Sequence, residues 1–491
     1  MQKTLKTAAL YVIAAIVVAI GLFFVIKKET YLAFALPLVV GILLLYVFSL
    51  DKVLLFVAFV TPLSINIEEL AGGLAISLPA EPLLAGILIL FIAKLIYDKH
   101  FDIDIARHPI SIVIYMMFLW MTVTMITSEM PVVSLKFIVS RLWFVVPSYF
   151  LCAELFKNPR NIDRFIWLYT AGLILVVIYT IINHAINGFD GDTAHWVMTP
   201  FYNDHTAYGA ALAVYIVLCT AYLFMPNIKR TKRLVIFLVL CLFLVAIVLS
   251  YCRASWISLI AALGVLACVL LKIKFKYIAL VAIVLIGLFF TFQQQIFYSL
   301  SKNDQDASGD IAENIQSMTN ISTDASNLER INRWNSAIRM FEERPLVGWG
   351  PGTYQFVYAP FQESKNKTII STSAGDMGNA HSEYIGTLAE QGVPGALLVV
   401  SIVVVFMYCG LMTYRRAKNK ESKVLVLGAT LALLGYYIHG PLNNFLDTDK
   451  LAVPVWSCMA IITAIDRFHA DRENYYETNE PSERQQVQDQ K

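Results

Sequence analysis

The sequence predicts an all-α polytopic membrane protein of about 12–14 transmembrane helices, interrupted by one long outer loop. Three observations predict it. Of 491 residues 58% are hydrophobic and only 15% charged, whereas soluble globular chains run near 45–50% apolar and about 25% charged. The apolar residues sit in runs of roughly 20, the length that crosses a bilayer as a helix. The runs lack the in-out alternation of a barrel, and helices and closed barrels are what satisfy a backbone in lipid. An ordinary soluble enzyme is thereby excluded. With 38 basic and 36 acidic residues the net charge is +2, which gives no reason to expect a nucleic-acid partner.

In chain order the runs centre in 7–26, 31–50, 53–66, 79–98, 108–128, 133–154, 162–185, 207–225, 233–251, 254–272, 276–292, 392–414, 422–439 and 452–466. The third and the last are short, which leaves twelve or thirteen spans open. Fourteen spans put both termini on one side. Placing that side in the cytoplasm gives it 25 of the 38 Lys and Arg, among them the clusters 229–233 and 415–423, as the positive-inside rule asks. The first run has no small-residue cleavage site behind it and reads as an uncleaved helix. The seven cysteines fall in or beside spans, none in the long loop, so no disulfide framework or Cys-rich metal site is implied. The chain thus divides into spans 1–11 (1–292), a long outer loop (293–391), spans 12–14 (392–466) and a polar, disordered cytoplasmic tail (467–491).

Within the loop, 301–327 is polar. Ser326-Asn-Leu-Glu329 then reads as a capping box. Leu328, Ile331, Trp334, Ile338 and Phe341 follow at helical spacing until Pro345, predicting an amphipathic helix laid by its apolar face on the membrane surface or the bundle. Arg330 and Arg333 lie on its other side. Arg344-Pro-Leu-Val-Gly-Trp-Gly-Pro-Gly-Thr-Tyr354 is turn-rich, with glycines that allow positive φ, and matches no nucleotide fingerprint. Ala380-His-Ser-Glu-Tyr384 brings His381, Glu383 and Tyr384 to the point where the chain re-enters the bilayer.

Together these segments carry a resemblance. Arg330-x-x-x-Trp334, the Arg-Pro-Leu-x-Gly-x-Gly-Pro-Gly run, Ala-His-Ser-Glu-Tyr and Glu390-x-Gly-x-x-Gly395 are similar to motifs of the O-antigen ligase and polymerase superfamily of bacterial inner membranes. So are Ser250-Tyr-Cys-Arg-Ala-Ser-Trp256 between two spans and Phe201-Tyr-Asn-Asp-His-Thr-Ala-Tyr-Gly209 in an earlier outer loop. The resemblance covers roughly residues 200–400. It implies a membrane-embedded, GT-C-like, inverting and metal-independent glycosyltransferase. The donor it implies is a glycan on undecaprenyl pyrophosphate, met on the periplasmic side. The acceptor is the lipid A core in a ligase, another carrier-linked glycan in a polymerase, or a protein in an oligosaccharyltransferase. Membrane lipids are the other expected partners, and no cofactor is expected. A transporter would also account for many helices and intramembrane charges, but it predicts matched broken helices in two halves, which the sequence lacks.

The chemistry asks for cationic donors where charge develops on the leaving pyrophosphate, and arginine's planar fork suits phosphate oxygens. Arg253 and Arg330 are the expected catalytic arginines, against the plainer readings of an interfacial snorkelling arginine and a solvated helix charge. Arg333 is a candidate substrate contact. His381 is the expected base or acceptor-positioning group, against capping the following helix. As a base with an ordinary pKa it would lose activity below pH about 6.5. Glu383 and Tyr384 are expected to orient it or touch substrate. Lys136 and Arg141 sit inside the span 133–154, where a charge usually faces a cavity or partner, so they grip the carrier phosphate or form structural pairs. Asp447, near the last span with Lys450, pairs with arginine or binds glycan. His184, Asp204 and His205 lie on the outer side; His205 is counted with the substrate contacts, and the histidines lack the spaced carboxylates of a metal site.

Overall fold

A computed structural model of the protein describes residues 49–66, 76–98, 101–273, 284, 325–363 and 378–476. The chain runs through α1 (Leu50–Val60), a turn at 61–63, and two short antiparallel strands, β1 (Ile65–Asn66) and β2 (Ser77–Leu78). Then come α2 (Ala80–Asp98), α3 (Pro109–Ile126), α4 (Pro131–Val145), α5 (Pro159–Ile186), α6 (His205–Leu223), α7 (Arg230–Leu249) and α8 (Arg253–Leu270). After the undescribed stretch follow α9 (Ala325–Glu343), α10 (Glu383–Arg416), α11 (Lys420–His439) and α12 (Asp449–Ala464). α4 continues through a π-helical stretch to Leu155 and α12 likewise to His469. Ten of the described helices are long and apolar enough to cross a membrane, which makes this an all-α polytopic membrane protein. The runs 7–26, 31–50 and 276–292 fall almost entirely outside the described residues, as do most of 301–327 and the tail beyond 476.

Helix starts follow local chemistry. Proline opens α3, α4 and α5, where its missing N–H costs nothing. Asn158, Asp204, Ser382 and Asn419 each accept a backbone N–H at their helix's first turn. Burial sorts the helices into an inner and an outer set. Every residue of α12 is buried, as are most of α6 and α11. α2, α3, α7 and α8 instead display Ile89, Ile96, Leu119, Leu238 and Leu263, an apolar exterior that suits lipid and no aqueous protein. α10 and α11 meet where a Cβ on Gly410 would lie 2.0 Å from Thr430 Oγ1, the small-residue contact typical of membrane helices.

Three expectations change. The run 53–66 becomes only 11 helical residues, α1, about 16 Å of rise and too short to cross. Pro62 and the β1–β2 pair end it, and the carbonyls of the turn that follows are taken up from elsewhere. The Lys450 ammonium donates to Thr61 O (2.7 Å), Pro62 O (3.3 Å), Ser64 O (2.6 Å) and Ser64 Oγ (2.8 Å), while Ser64 donates to Asp449. The span expected at 392–414 is entered earlier, because α10 begins at Glu383 and only bends at Gly392 (φ 67°). In α9, Ser326 sits inside the helix and Glu329 pairs with Arg333, 2.8 Å away, in place of the expected capping box. The side that α9 packs against the protein is the stripe opposite its apolar one, which leaves the membrane surface as the place for the apolar face. Glu329, Asn332, Ser336, Ala337 and Met340 face the protein, while Ile338 is 40% exposed.

The inter-helix turns gather at two ends. One holds the basic clusters between α6 and α7 and between α10 and α11. The other, the site end, holds 127–130, 187–204, 250–252, 440–448 and the α9 segment.

Candidate functional site

The site end is built on the glycine-rich run. Its backbone pairs with the bend of α10: Trp349 N donates to Ala389 O (3.1 Å), Gly350 N to Glu390 O (2.8 Å), and Val393 N to Pro345 O (2.9 Å). The buried Glu390 carboxylate accepts Gly352 N at 2.9 Å and Tyr354 N at 3.0 Å. Gly350, at φ 111°, has Ser128 so close that a Cβ would lie 2.0 Å from its Oγ. Arg344 stacks on Trp349 and pairs with Glu129 at 2.8 Å. These glycines are therefore spent on docking the run between α3, α4 and α10. Around the dock Ala337, Met340, Trp349, Tyr354, Tyr358, Ala380 and Ala389 form a small core of their own, which fixes α9 against α10.

That fixture sets the central contact. Arg333 holds Glu329 through Nε (2.8 Å), while its Nη1 donates to Asn379 O (3.1 Å) and lies 3.0 Å from His381 Nε2. Its guanidinium passes so close to Gly378 that a Cβ there would lie 2.7 Å from it. His381 has φ 47° and donates its own N–H to Asn379 Oδ1 (3.1 Å). A non-glycine residue in the left-handed region costs on the order of 1–3 kcal/mol and is found mostly where surroundings enforce it. Guanidinium nitrogens only donate, so Nε2 is the acceptor and the ring proton sits on Nδ1. Burial, then the Arg333 and Arg330 charges, push His381 down from 6.5 to about 3, against a weaker pull from Asp204 and Glu329. The ring is neutral across ordinary pH.

The Asp204 and Arg253 segments meet on the same side. Gly209 of α6 lies against the α7–α8 turn, its would-be Cβ 2.7 Å from Cys252 Cβ and 2.8 Å from Ser255 Oγ. The first turn of α6 thereby adjoins Arg253, the first residue of α8. Asp204 caps α6 through Thr206 N, Thr206 Oγ1 and Ala207 N at 2.6–2.8 Å. Burial would raise its carboxyl, but the Thr206 hydroxyl, the Ala207 amide and His205 hold it below the usual range. Asp204 and Arg330 both act electrostatically on His381 and on Cys252. Arg330, Asp204, His381 and the Arg253 turn thus lie in one neighbourhood.

The remaining candidates fall elsewhere. Arg141 donates to Leu446 O (2.9 Å) and pairs with Asp447 (3.0 Å). Lys136, on the same helix, is exposed. The Glu383 carboxylate accepts Tyr436 OH (2.6 Å), Phe445 N (3.0 Å) and Leu446 N (3.1 Å), and Tyr384 OH donates to Tyr437 O (2.9 Å). Glu383 ties the 440–448 turn, and Tyr384 the end of α11, to the start of α10 just after His381. Arg141, Glu383, Gln391, Met117, Met121 and Leu398 line a narrow cleft of about 30 Å³. His184 is buried, with Nε2 2.9 Å from Asp190 O at the end of α5. His205 instead meets His195. Sequence reasoning did not foresee that Glu329 holds Arg333 or that Glu390 holds the glycine run; an acid one helical turn before Arg333 was the available clue to the first.

Residues 236–400 match the family described as O-antigen ligase, which supports the O-antigen ligase and polymerase superfamily and, in general, a glycosyl-transfer enzyme. The matched stretch contains Arg253, Arg330, Arg333, His381, Glu383 and Glu390; Lys136, Arg141, Asp204, His205 and Asp447 lie outside it. A Haemophilus influenzae protein described as uncharacterized is 24% identical over 255 residues, 51% of this chain and 61% of that protein. The chain thus matches about three fifths of that relative's length.

Proposed function

We propose, with the O-antigen ligase and polymerase superfamily as premise, that this protein moves a glycan from undecaprenyl pyrophosphate to the lipid A core on the periplasmic face of the bacterial inner membrane. The observation that carries the reading is the Arg333–His381 contact of 3.0 Å beside Arg330 and Asp204, inside the matched stretch. Arg253 and Arg330 stabilise charge as it develops on the departing pyrophosphate, and they stand where a divalent cation would otherwise be needed. Arg333, held by Glu329, fixes the ring of His381. With Nε2 taken, His381 presents Nδ1–H to the acceptor oxygen and aligns it for attack on the anomeric carbon. Pyrophosphate is a good leaving group, so positioning outweighs deprotonation. The new C–O bond forms as the sugar–phosphate bond breaks, with inversion, and the hydroxyl proton leaves to the pyrophosphate.

The polysaccharide profile of a deletion strain tests this. Carrier-linked polymer of full length distribution that stays unligated is the expected result. A core bearing single repeat units would mark a polymerase, and an unchanged profile would remove the reading.

A further inference from the structure

His195 ends a one-turn 3-10 helix and His205 opens α6, yet their Nδ1 atoms lie 3.0 Å apart. The rings are nearly perpendicular, at 88°, with centroids 4.2 Å apart. His195 is exposed and His205 half-buried, so the pair is open to solutes. Metal–imidazole bonds measure about 2.0–2.1 Å, and two nitrogens 3.0 Å apart then subtend an angle near 90° at a shared ion. That is a cis pair of a square-planar or octahedral centre, whereas tetrahedral zinc would need the rings to part slightly. Among the described residues no third His, Cys, Asp or Glu completes a metal cluster, so water fills the remaining positions.

We infer that His195 and His205 form a two-histidine site for a divalent transition ion, Cu²⁺ or Ni²⁺ before Zn²⁺, and that occupancy slows glycan transfer. Imidazole suits these ions and the order follows their general ligand affinities; Mg²⁺ and Ca²⁺ prefer oxygen and are excluded. Coordination needs both Nδ1 lone pairs. The proton now shared between the rings moves through solvent to Nε2 of its own ring, and no net proton is lost. A bound dication on His205 adjoins Asp204, whose carboxylate acts on His381. It weakens that field and locks the 196–204 segment against α6. The binding half stands by itself; the inhibition half rests on the transferase reading.

The test uses full-length protein in detergent, tag removed and stripped with EDTA. Titration calorimetry with NiCl₂ is expected to show one site that His195→Ala loses. Transfer by the wild type is expected to fall at least tenfold with CuCl₂ or NiCl₂ and not with MgCl₂, while His195→Ala keeps both its metal-free rate and its activity in metal. Equal binding by wild type and His195→Ala would overturn the site. Binding with unchanged transfer would overturn the brake alone, and binding without any transfer activity would point to a failure of the proposed function instead.

Discussion

The protonation of His381 has a sharp consequence for the pH profile of transfer. A histidine with the ordinary value of 6.5 is only about 3% neutral at pH 5, so a mechanism that needs the neutral ring would slow roughly 30-fold between pH 8 and pH 5. At about 3, the same ring stays about 99% neutral at pH 5, and no acid limb from His381 is expected until well below pH 4. The sequence-based expectation of a fall through 6.5 is replaced by a flat profile. The perturbation that restores the fall is removal of the Arg333 charge, the largest depressing influence after burial. Arg333→Gln alone would strand the buried Glu329, and breaking a buried pair by one partner is strongly destabilising. The double variant Glu329→Gln/Arg333→Gln avoids this. Glu329 opposes Arg333 more weakly, so the net effect raises the His381 pKa and, for a mechanism that needs the neutral ring, brings the acid limb toward the assay range; the Nδ1–H donor survives protonation of Nε2, and a profile that stays flat in the variant favours it. The assay is initial transfer rate from pH 4.5 to 8.5 with lipid-linked donor and saturating acceptor. A wild-type limb near 6.5 that disappears in a His381 variant would refute the reasoning.

Because Nδ1–H is the group offered, His381→Asn, whose amide nitrogen replaces Nδ1, should retain more activity than His381→Gln or His381→Ala; the reverse order would show that Nε2 is the working atom. Arg253→Ala and Arg330→Ala should each lose about 10²–10³ in rate with normal membrane insertion, and Lys should rescue poorly for want of the bidentate fork; stable, fully active alanine enzymes would end the site assignment. Transfer should persist in EDTA, measured with purified enzyme, and loss restored by magnesium would argue against arginine as the counter-charge. Cysteine at the exposed Glu342, in a Cys-free background, should react with an impermeant thiol reagent on intact spheroplasts and cysteine at Lys229 should not; labelling of Lys229 alone would invert the topology. Gly350→Ala should lower the thermal midpoint of the detergent-solubilised protein, since its Cβ meets Ser128 at 2.0 Å.

Helices α2–α8 and α10–α12 were legible because lipid leaves the chain few options, and a run of apolar residues reports length directly. The gathering of Arg330, Arg333 and His381 was legible because their motifs follow one another on a single stretch. What the sequence left open has a common cause. Periodicity in α9 picks out Ile331, Trp334 and Ile338, but an apolar stripe in a membrane protein can face lipid as readily as protein, and here small and polar residues line the packed side. Partners far apart in sequence could be named only by kind: Asp447 could be given an arginine, but not that Arg141 supplies it from 306 residues away, and nothing in the sequence leads Lys450 to Ser64 across 386. The glycine run pointed to close backbone approach, yet only the carboxylate of Glu390 reveals to what.

The Lys450 cradle also imposes an order on manufacture. The carbonyls of Thr61, Pro62 and Ser64 are synthesised early and acquire their ammonium only after residue 450 has left the ribosome. Until then the turn after α1 has only its local bonds, with Ser64 N and Oγ both donating to Thr61 O. The start of the described chain is therefore clamped by nearly the last of its helices, and a chain cut before residue 449 lacks that clamp altogether.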